Sequence, residues 1–306
     1  MSSLPIKWAP SVAIALVMVL GMAIVVGRAQ KKQENAADDV KREICITFNE
    51  LPVARTFEET DLDALTYLVL ETLDRHEVAA AGFVVGQNVG TNFDILGEWL
   101  NRGHVLGNMT YAHQDLHEIG IEKFISDIEM GHETIEDMLS GFGQKKRYFR
   151  FPYLHYGDNT NAKRQVNLYL DHQNYVTAHA TVVPEDYLYN LTLEKLGKYP
   201  DSAEYDALLN EYVNHVLDEV ERCQLLALEL VNRPVKQILL LRMNRLNAIY
   251  LDEMLRALTD MGYEFVTLDE ALADNVYDRP EGYYGGRGVG YLDMLYQSDP
   301  DLIPAQ

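Results

Sequence analysis

The chain has 306 residues, 47% of them hydrophobic and 24% charged, ample for a sizeable core, so a collagen-like or intrinsically disordered chain is excluded. Lys and Arg number 26 against 47 Asp and Glu, a formal charge of −21; that field repels phosphate backbones, and nucleic acid is not expected as a partner. Cys45 and Cys223 stand far apart with no CxxC and no neighbouring His pair, so neither a disulfide framework nor a cysteine zinc site is indicated.

Trp8 to Gly27 carries no charge and contains the apolar run SVAIALVMVLGMAIVV, about the twenty residues a helix needs to cross hydrocarbon. Residues 1–28 are therefore expected to form an N-terminal transmembrane helix, either retained as an anchor or removed as a signal segment; Gly27 and Ala29 supply the small residues of a cleavage site. Arg28, Lys31 and Lys32 follow it and only Lys7 precedes it, a short-flank bias that by itself points the body towards the cytoplasm. Residues 29–42 are polar without periodic apolar positions and read as a linker.

The folded body is expected from about Glu43. ICITF is β-branched and aromatic, DLDALTYLVLETLDRH has helical spacing, AAGFVVG returns to strand character and FDILGEWLNRG to helix. The alternation continues through HVLGNMTY, a helix from Ile121 to about Leu139, KRYFRF, a helix after Asp158, YVTAHATVV, and the pair QILLL and EFVTL with a helix between. Such alternation predicts parallel strands joined by crossover helices, an α/β barrel or doubly wound sheet. Residues 201–232 form one long helical pattern inside a helical insertion at about 191–234, and residues 285–306 form a Tyr-rich tail expected to pack on the body. GGRGVGY in that tail has no preceding strand and is not read as a nucleotide loop.

In this architecture functional groups collect just after the strands. Taken in order, ITFNELPV, GHVLGNMTYAHQDL, YFRFPYLHYG, VTAHATVVPEDYLYN and ILLLRMNRLNA resemble the five signature segments of polysaccharide deacetylases, the NodB-homology proteins of carbohydrate esterase family 4. The resemblance covers residues 43–284. It implies a distorted (β/α) barrel that removes N-acetyl groups from an exported glycan with a divalent metal, commonly zinc, and so a periplasmic or otherwise extracytoplasmic main domain on a membrane anchor.

The departures from that pattern decide the functional expectation. Asn49 stands at the position of the general base, and an amide cannot take a proton from water. Glu50 and His113 match metal ligands, but Met109, a soft thioether, replaces the third. Arg242 stands where the resemblance implies a histidine acid, and it stays protonated at any relevant pH. Arg150 and Asp186 match the Arg and Asp that pair in the family, while Tyr153 and Tyr187 are candidates to line a sugar site. Arg242 is expected to bridge to Glu50 or Asp186 in the space a metal would take; the remaining histidines, including His104, His155, His172 and His179, are read as structural.

No cofactor is therefore expected, the alternative being zinc or another divalent metal on the residual Glu50 and His113. The chain is expected to be a pseudoenzyme, an accessory subunit of a membrane or envelope assembly with protein partners. The alternatives are a glycan-binding pseudoenzyme and a divergent metal-dependent deacetylase that uses Glu50 as base.

Overall fold

The first apolar run of the folded body forms β1 (Arg42–Leu51), whose Ile44, Cys45, Ile46 and Phe48 are wholly buried: a strand covered on both faces reads as a continuous apolar run. The computed structural model describes residues 41–52, 62–90, 92–197 and 202–298. The expected membrane segment and nearly all of the linker lie outside the described residues. Among those described, no helix is long and apolar enough to cross a membrane.

Helix α1 (Leu62–Arg75) follows, then β2 (Ala81–Val84), α2 (Phe93–Asn101), β3 (Val105–Asn108), the short α3 (Leu116–Ile119), α4 (Ile121–Gly141), β4 (Arg147–Phe149), α5 (Thr160–His172) and β5 (Tyr175–Thr177). The strands pair in parallel in the order β5-β4-β3-β2-β1, and β6 (Gln237–Arg242) continues on the far side of β1. The segment after β5 closes the ring. Ala178 N–H donates to Phe149 O at 2.8 Å, and the amides of Thr181 and Val182 donate to Ile238 O at 3.0 and 3.1 Å. A single Val182–Leu239 bridge makes that seam, so the parallel-strand barrel is closed but distorted there. A seventh strand, β7 (Tyr263–Phe265), pairs the first three residues of β1.

Between β5 and β6 lie α6 (Asp186–Leu196) and the 30-residue α7 (Ser202–Val231). Helix α7 buries Leu208, Tyr212, Val216, Val220, Cys223 and Ala227, positions three or four apart that share one helical face. It packs on α6, on β6 and on α8 (Arg245–Asp260), and so covers the barrel as a crossover helix does. After β7 come α9 (Leu268–Leu272), whose Thr267 and Glu270 make a reciprocal cap, and α10 (Tyr291–Ser298).

Helix α10 packs on α7 through Tyr291, Leu292, Met294 and Leu295, all buried. Arg222 of α7 forks onto Asp293, with Nη1 and Nη2 reaching the two carboxylate oxygens at 2.8 and 2.9 Å. Tyr277 and Tyr291 stack about the His179 ring, the Tyr291 centroid lying 4.0 Å from it. The aromatic residues of this region are thus largely turned into the body.

Candidate functional site

The carboxyl ends of β1, β3, β4 and β6 surround a cavity of about 750 Å³, lined among others by Asn49, Glu50, Met109, His113, Tyr153, Tyr187 and Arg242. Seven of the nine residues singled out from the sequence therefore converge, as a parallel barrel dictates. The other two, Arg150 and Asp186, are wholly buried just behind it. Of the nine non-glycine residues with positive φ among the described residues, five line this cavity: Glu50, His113, Tyr153, Leu154 and Glu185. Each costs about 1–3 kcal/mol, and such strain persists where surrounding structure fixes a side chain's aim.

Arg150 follows β4 and is held entirely by neutral acceptors. Its Nη1 donates to Thr47 Oγ1 at 2.7 Å and to Asn49 Oδ1 at 3.1 Å, Nε to Ala178 O at 3.0 Å and Nη2 to His179 O at 3.3 Å. The guanidinium also lies over the Phe83 ring, 4.1 Å from its centroid. Burial pulls its pKa down to about 10, so it remains charged at neutral pH.

The expected Arg150–Asp186 pair is not formed. Asp186 opens α6 after a left-handed Glu185, which delivers its carboxylate to the end of β6 instead. There Oδ2 accepts the Arg242 backbone N–H at 2.6 Å and Oδ1 accepts Arg242 Nη1 at 2.5 Å; Asn247 Nδ2 adds a bond to Oδ2 at 2.5 Å. Arg150 has spent its donors on the amide and the carbonyls around it, whereas Arg242 offers both backbone and side chain to the same carboxylate. Arg242 Nε also lies 3.3 Å from Glu50 Oε1, and its guanidinium covers the Tyr187 ring at 4.9 Å. One cation thus sits between two carboxylates, as the replacement at this position suggested. Burial disfavours its charge, but Asp186 and Glu50 outweigh that and raise its pKa. Burial likewise raises the Glu50 pKa, against the lowering field of Arg242.

His113 faces the cavity with its ring 4.7 Å from that of Tyr153. Its Nε2 is buried and has no hydrogen-bond partner among the described residues. Burial, reinforced by Arg242, lowers its pKa to about 4. As a donor set for the implied metal, Glu50, Met109 and His113 offer a carboxylate already paired with a guanidinium, a buried thioether and one free imidazole nitrogen. Zinc sites use three good protein ligands, and this set does not fit one. Tyr153 and Tyr187 are 51% and 43% exposed, aromatic faces at the mouth of the cavity.

Two features escaped the sequence reading. The GGRGVGY stretch rims the cavity: a Cβ on Gly288 would lie 1.8 Å from Tyr153 O, and one on Gly290 2.3 Å from Thr181 O. Close backbone approach explains these glycines, and their position two and four residues after Gly286 was the available signal. The second is a group beside the cavity made by Asp115, His117 and His155. His155 Nδ1 lies 2.8 Å from Asp115 Oδ2, and the His117 and His155 rings stack with centroids 4.2 Å apart. Asp115 and His117 stand two apart, but His155 joins them only through the fold.

Comparison with known proteins agrees with this architecture. A family model described as polysaccharide deacetylase matches residues 36–170. An uncharacterised 30.6 kDa protein of Geobacillus stearothermophilus is 24% identical over 243 residues, covering 79% of this chain and 76% of that protein. Peptidoglycan-N-acetylglucosamine deacetylase of Bacillus cereus is 32% identical over 106 residues, 35% of this chain and 38% of the enzyme, so the match spans well under half of that enzyme's length. Among solved structures, a carbohydrate esterase family 4 pseudoenzyme from Bacillus anthracis aligns with a TM-score of 0.53 at 20% identity, covering 76% of this chain and 66% of the other. A peptidoglycan N-acetylglucosamine deacetylase aligns with a TM-score of 0.54 at 21% identity over 76% and 88%; identities this low show the shared fold. The chain thus matches the polysaccharide deacetylase model over residues 36–170 and shares the fold of the carbohydrate esterase family 4 structures.

Proposed function

We propose that this chain is a polysaccharide deacetylase family member that does not hydrolyse a glycan, and that it serves as an accessory subunit of an envelope assembly, held outside the cytoplasm by residues 1–28. The observation that carries the reading is the Arg242 guanidinium bound to both Asp186 and Glu50 at the cavity. A resident cation of this kind neutralises the carboxylates that a metal would otherwise use, and a guanidinium can neither ligate nor shuttle a proton. With an amide at position 49, the adjacent carboxylate, Glu50, would have to act as base while paired with Arg242. Removing acid and base costs about a hundredfold to ten-thousandfold each, although such losses do not simply multiply. A pseudoenzyme of this fold from Bacillus anthracis supports the reading, as does a mutant of it described as having restored enzymatic activity.

The test is acetate release from N-acetylated glycan by the full chain, with zinc, cobalt or nickel added. No turnover above the protein-free rate is expected; turnover abolished by Glu50→Gln would overturn the proposal and favour a divergent deacetylase with Glu50 as base. The cavity itself and the exposed Tyr153 and Tyr187 favour a second reading, in which the old cleft still holds a glycan by stacking. Glycan-array binding lost in Tyr187→Ala would support it, whereas co-purification with integral membrane proteins in mild detergent would support the accessory role.

A further inference from the structure

Glu50 and Asp186 are committed to Arg242, but another set of ligand atoms stands beside the cavity. Asp115, in the loop after β3, caps α3: its Oδ1 accepts the His117 N–H at 2.9 Å. His155, in the loop after β4, brings Nδ1 to 2.9 Å from Oδ1 and 2.8 Å from Oδ2 of the same carboxylate. The side chains of His155 and Asp115 are only 13% and 15% exposed, so water screens them weakly. Among the described residues no Lys or Arg pairs with Asp115, and His117 Nε2 is buried without a hydrogen-bond partner. One ligand atom from each of the three lies within 4.8 Å of the others, the only such trio of His, Cys, Asp or Glu among the described residues.

We propose that Asp115, His117 and His155 bind a divalent transition-metal ion, at a site separate from the Glu50, Met109 and His113 positions. Two imidazoles and a carboxylate suit zinc, cobalt, nickel or ferrous iron, whereas magnesium and calcium prefer all-oxygen shells. Zinc bonds of about 2.0–2.2 Å at tetrahedral angles hold two ligand atoms roughly 3.4 Å apart. The His155 Nδ1 to Asp115 Oδ2 separation of 2.8 Å therefore needs to open by well under 1 Å as the ion takes the place of the shared proton. His117 moves more: its ring lies only 3° from parallel to that of His155, and ligation turns it about χ2 to aim a nitrogen at the ion. The ion would tie the loops after two neighbouring strands together. With three protein ligands it keeps a position for water or for an oxygen donor, and His155 lines the cavity. The proposal goes beyond the non-hydrolytic reading and fails independently of it, because acetate release tests one and metal uptake the other.

The experiment is zinc titration of the untagged full chain by calorimetry, with cobalt absorption as a second readout. About one equivalent of zinc is expected for the wild type, for His113→Ala and for Glu50→Gln, with at least about tenfold weaker binding in His117→Ala and His155→Ala. Asp115→Asn keeps the helix cap, since Asn caps as well as Asp, but loses the charged ligand; it should fold as the wild type does and bind about tenfold more weakly or less. Four-coordinate cobalt should show intense visible bands that vanish in the same three variants, and magnesium and calcium should give no heat. The proposal is overturned if the wild type takes up no zinc, if His117→Ala and His155→Ala bind as the wild type does, or if His113→Ala alone abolishes uptake.

Discussion

Replacing Arg242 by Met tests whether this guanidinium is the counter-charge of the cavity. Asp186 is wholly buried, and the Arg242 side chain is only a quarter exposed, so the pair is little screened. Breaking a buried pair by removing one member costs about 3–5 kcal/mol. Asp186 keeps the backbone N–H of residue 242 and the Asn247 amide, at 2.6 and 2.5 Å, which places the expected loss at the lower end, about 3 kcal/mol. For a domain of this size that is a fall in Tm of about 6–12 °C. Urea denaturation at pH 7 should show a lower midpoint with an unchanged slope. Arg242→Lys should fall between, because an ammonium keeps the charge but not the fork. Asp186→Asn in the Arg242→Met background should recover part of the loss, and the cycle should give a coupling of about 1–3 kcal/mol. A loss under about 1 kcal/mol in Arg242→Met, or no coupling to Asp186, would refute the buried-pair reasoning.

Asn49→Asp places a carboxylate against the buried Arg150, whose partners are now all neutral. A charge-assisted bond exceeds a neutral one by about 1 kcal/mol, and a raised urea midpoint at pH 7 is expected. Because Arg150 would depress the new carboxyl's folded pKa, the gain should be present above pH ~4 and fade as pH falls through that depressed value; a midpoint below the wild type at pH 7 would refute it. His104 and His179 are held neutral, their pKa values lowered by burial to about 4 and about 3, and Ala80 N–H donates to His104 Nδ1. Between those values and about 6.5 the unfolded chain binds more protons, so stability should be full near neutrality and fall on acidification, by on the order of 1 kcal/mol per pH unit for each histidine. His179→Phe should make the slope between pH 7 and 5 shallower; an unchanged slope refutes the assignment. Gly288→Ala drives a Cβ to within 1.8 Å of Tyr153 O, so the rim must move; a Tm lower by several degrees, about 1–3 kcal/mol, is expected, and a variant as stable as the wild type would show the rim to be loose.

The alternation of apolar runs with helical spacing was enough to read parallel strands joined by helices, because strands covered on both faces leave a continuous apolar signature, with β1 and β6 the clearest cases; the choice of a barrel over a doubly wound sheet came from the resemblance of the five segments. The stripe of α7 was legible for the same reason, with its apolar side chains three or four residues apart. Order along the chain also placed Asn49, Met109 and Arg242 at strand ends. Sequence did not reveal which partner would win Asp186. Two arginines were candidates, and the outcome rested on the left-handed Glu185, which turns α6 towards β6, and on a backbone N–H that no motif records. The trio Asp115, His117 and His155 was hidden differently: a two-residue spacing is common, and its third member comes from the loop of another strand.

Charge decides between the two places where an ion could sit. At the cavity, Arg242 is already seated between Glu50 and Asp186, so a divalent ion would have to compete with a guanidinium for those carboxylates. Displacing Arg242 would leave its guanidinium to find other partners while Met109 contributes no anionic or strongly basic donor. Beside the cavity the balance runs the other way. Asp115 carries a charge answered by no Lys or Arg among the described residues, its neighbours are two imidazoles, and a dication there gains a carboxylate without breaking an existing ion pair. A guanidinium seated on the carboxylates of the cavity and an ion one loop away are therefore compatible in a single barrel.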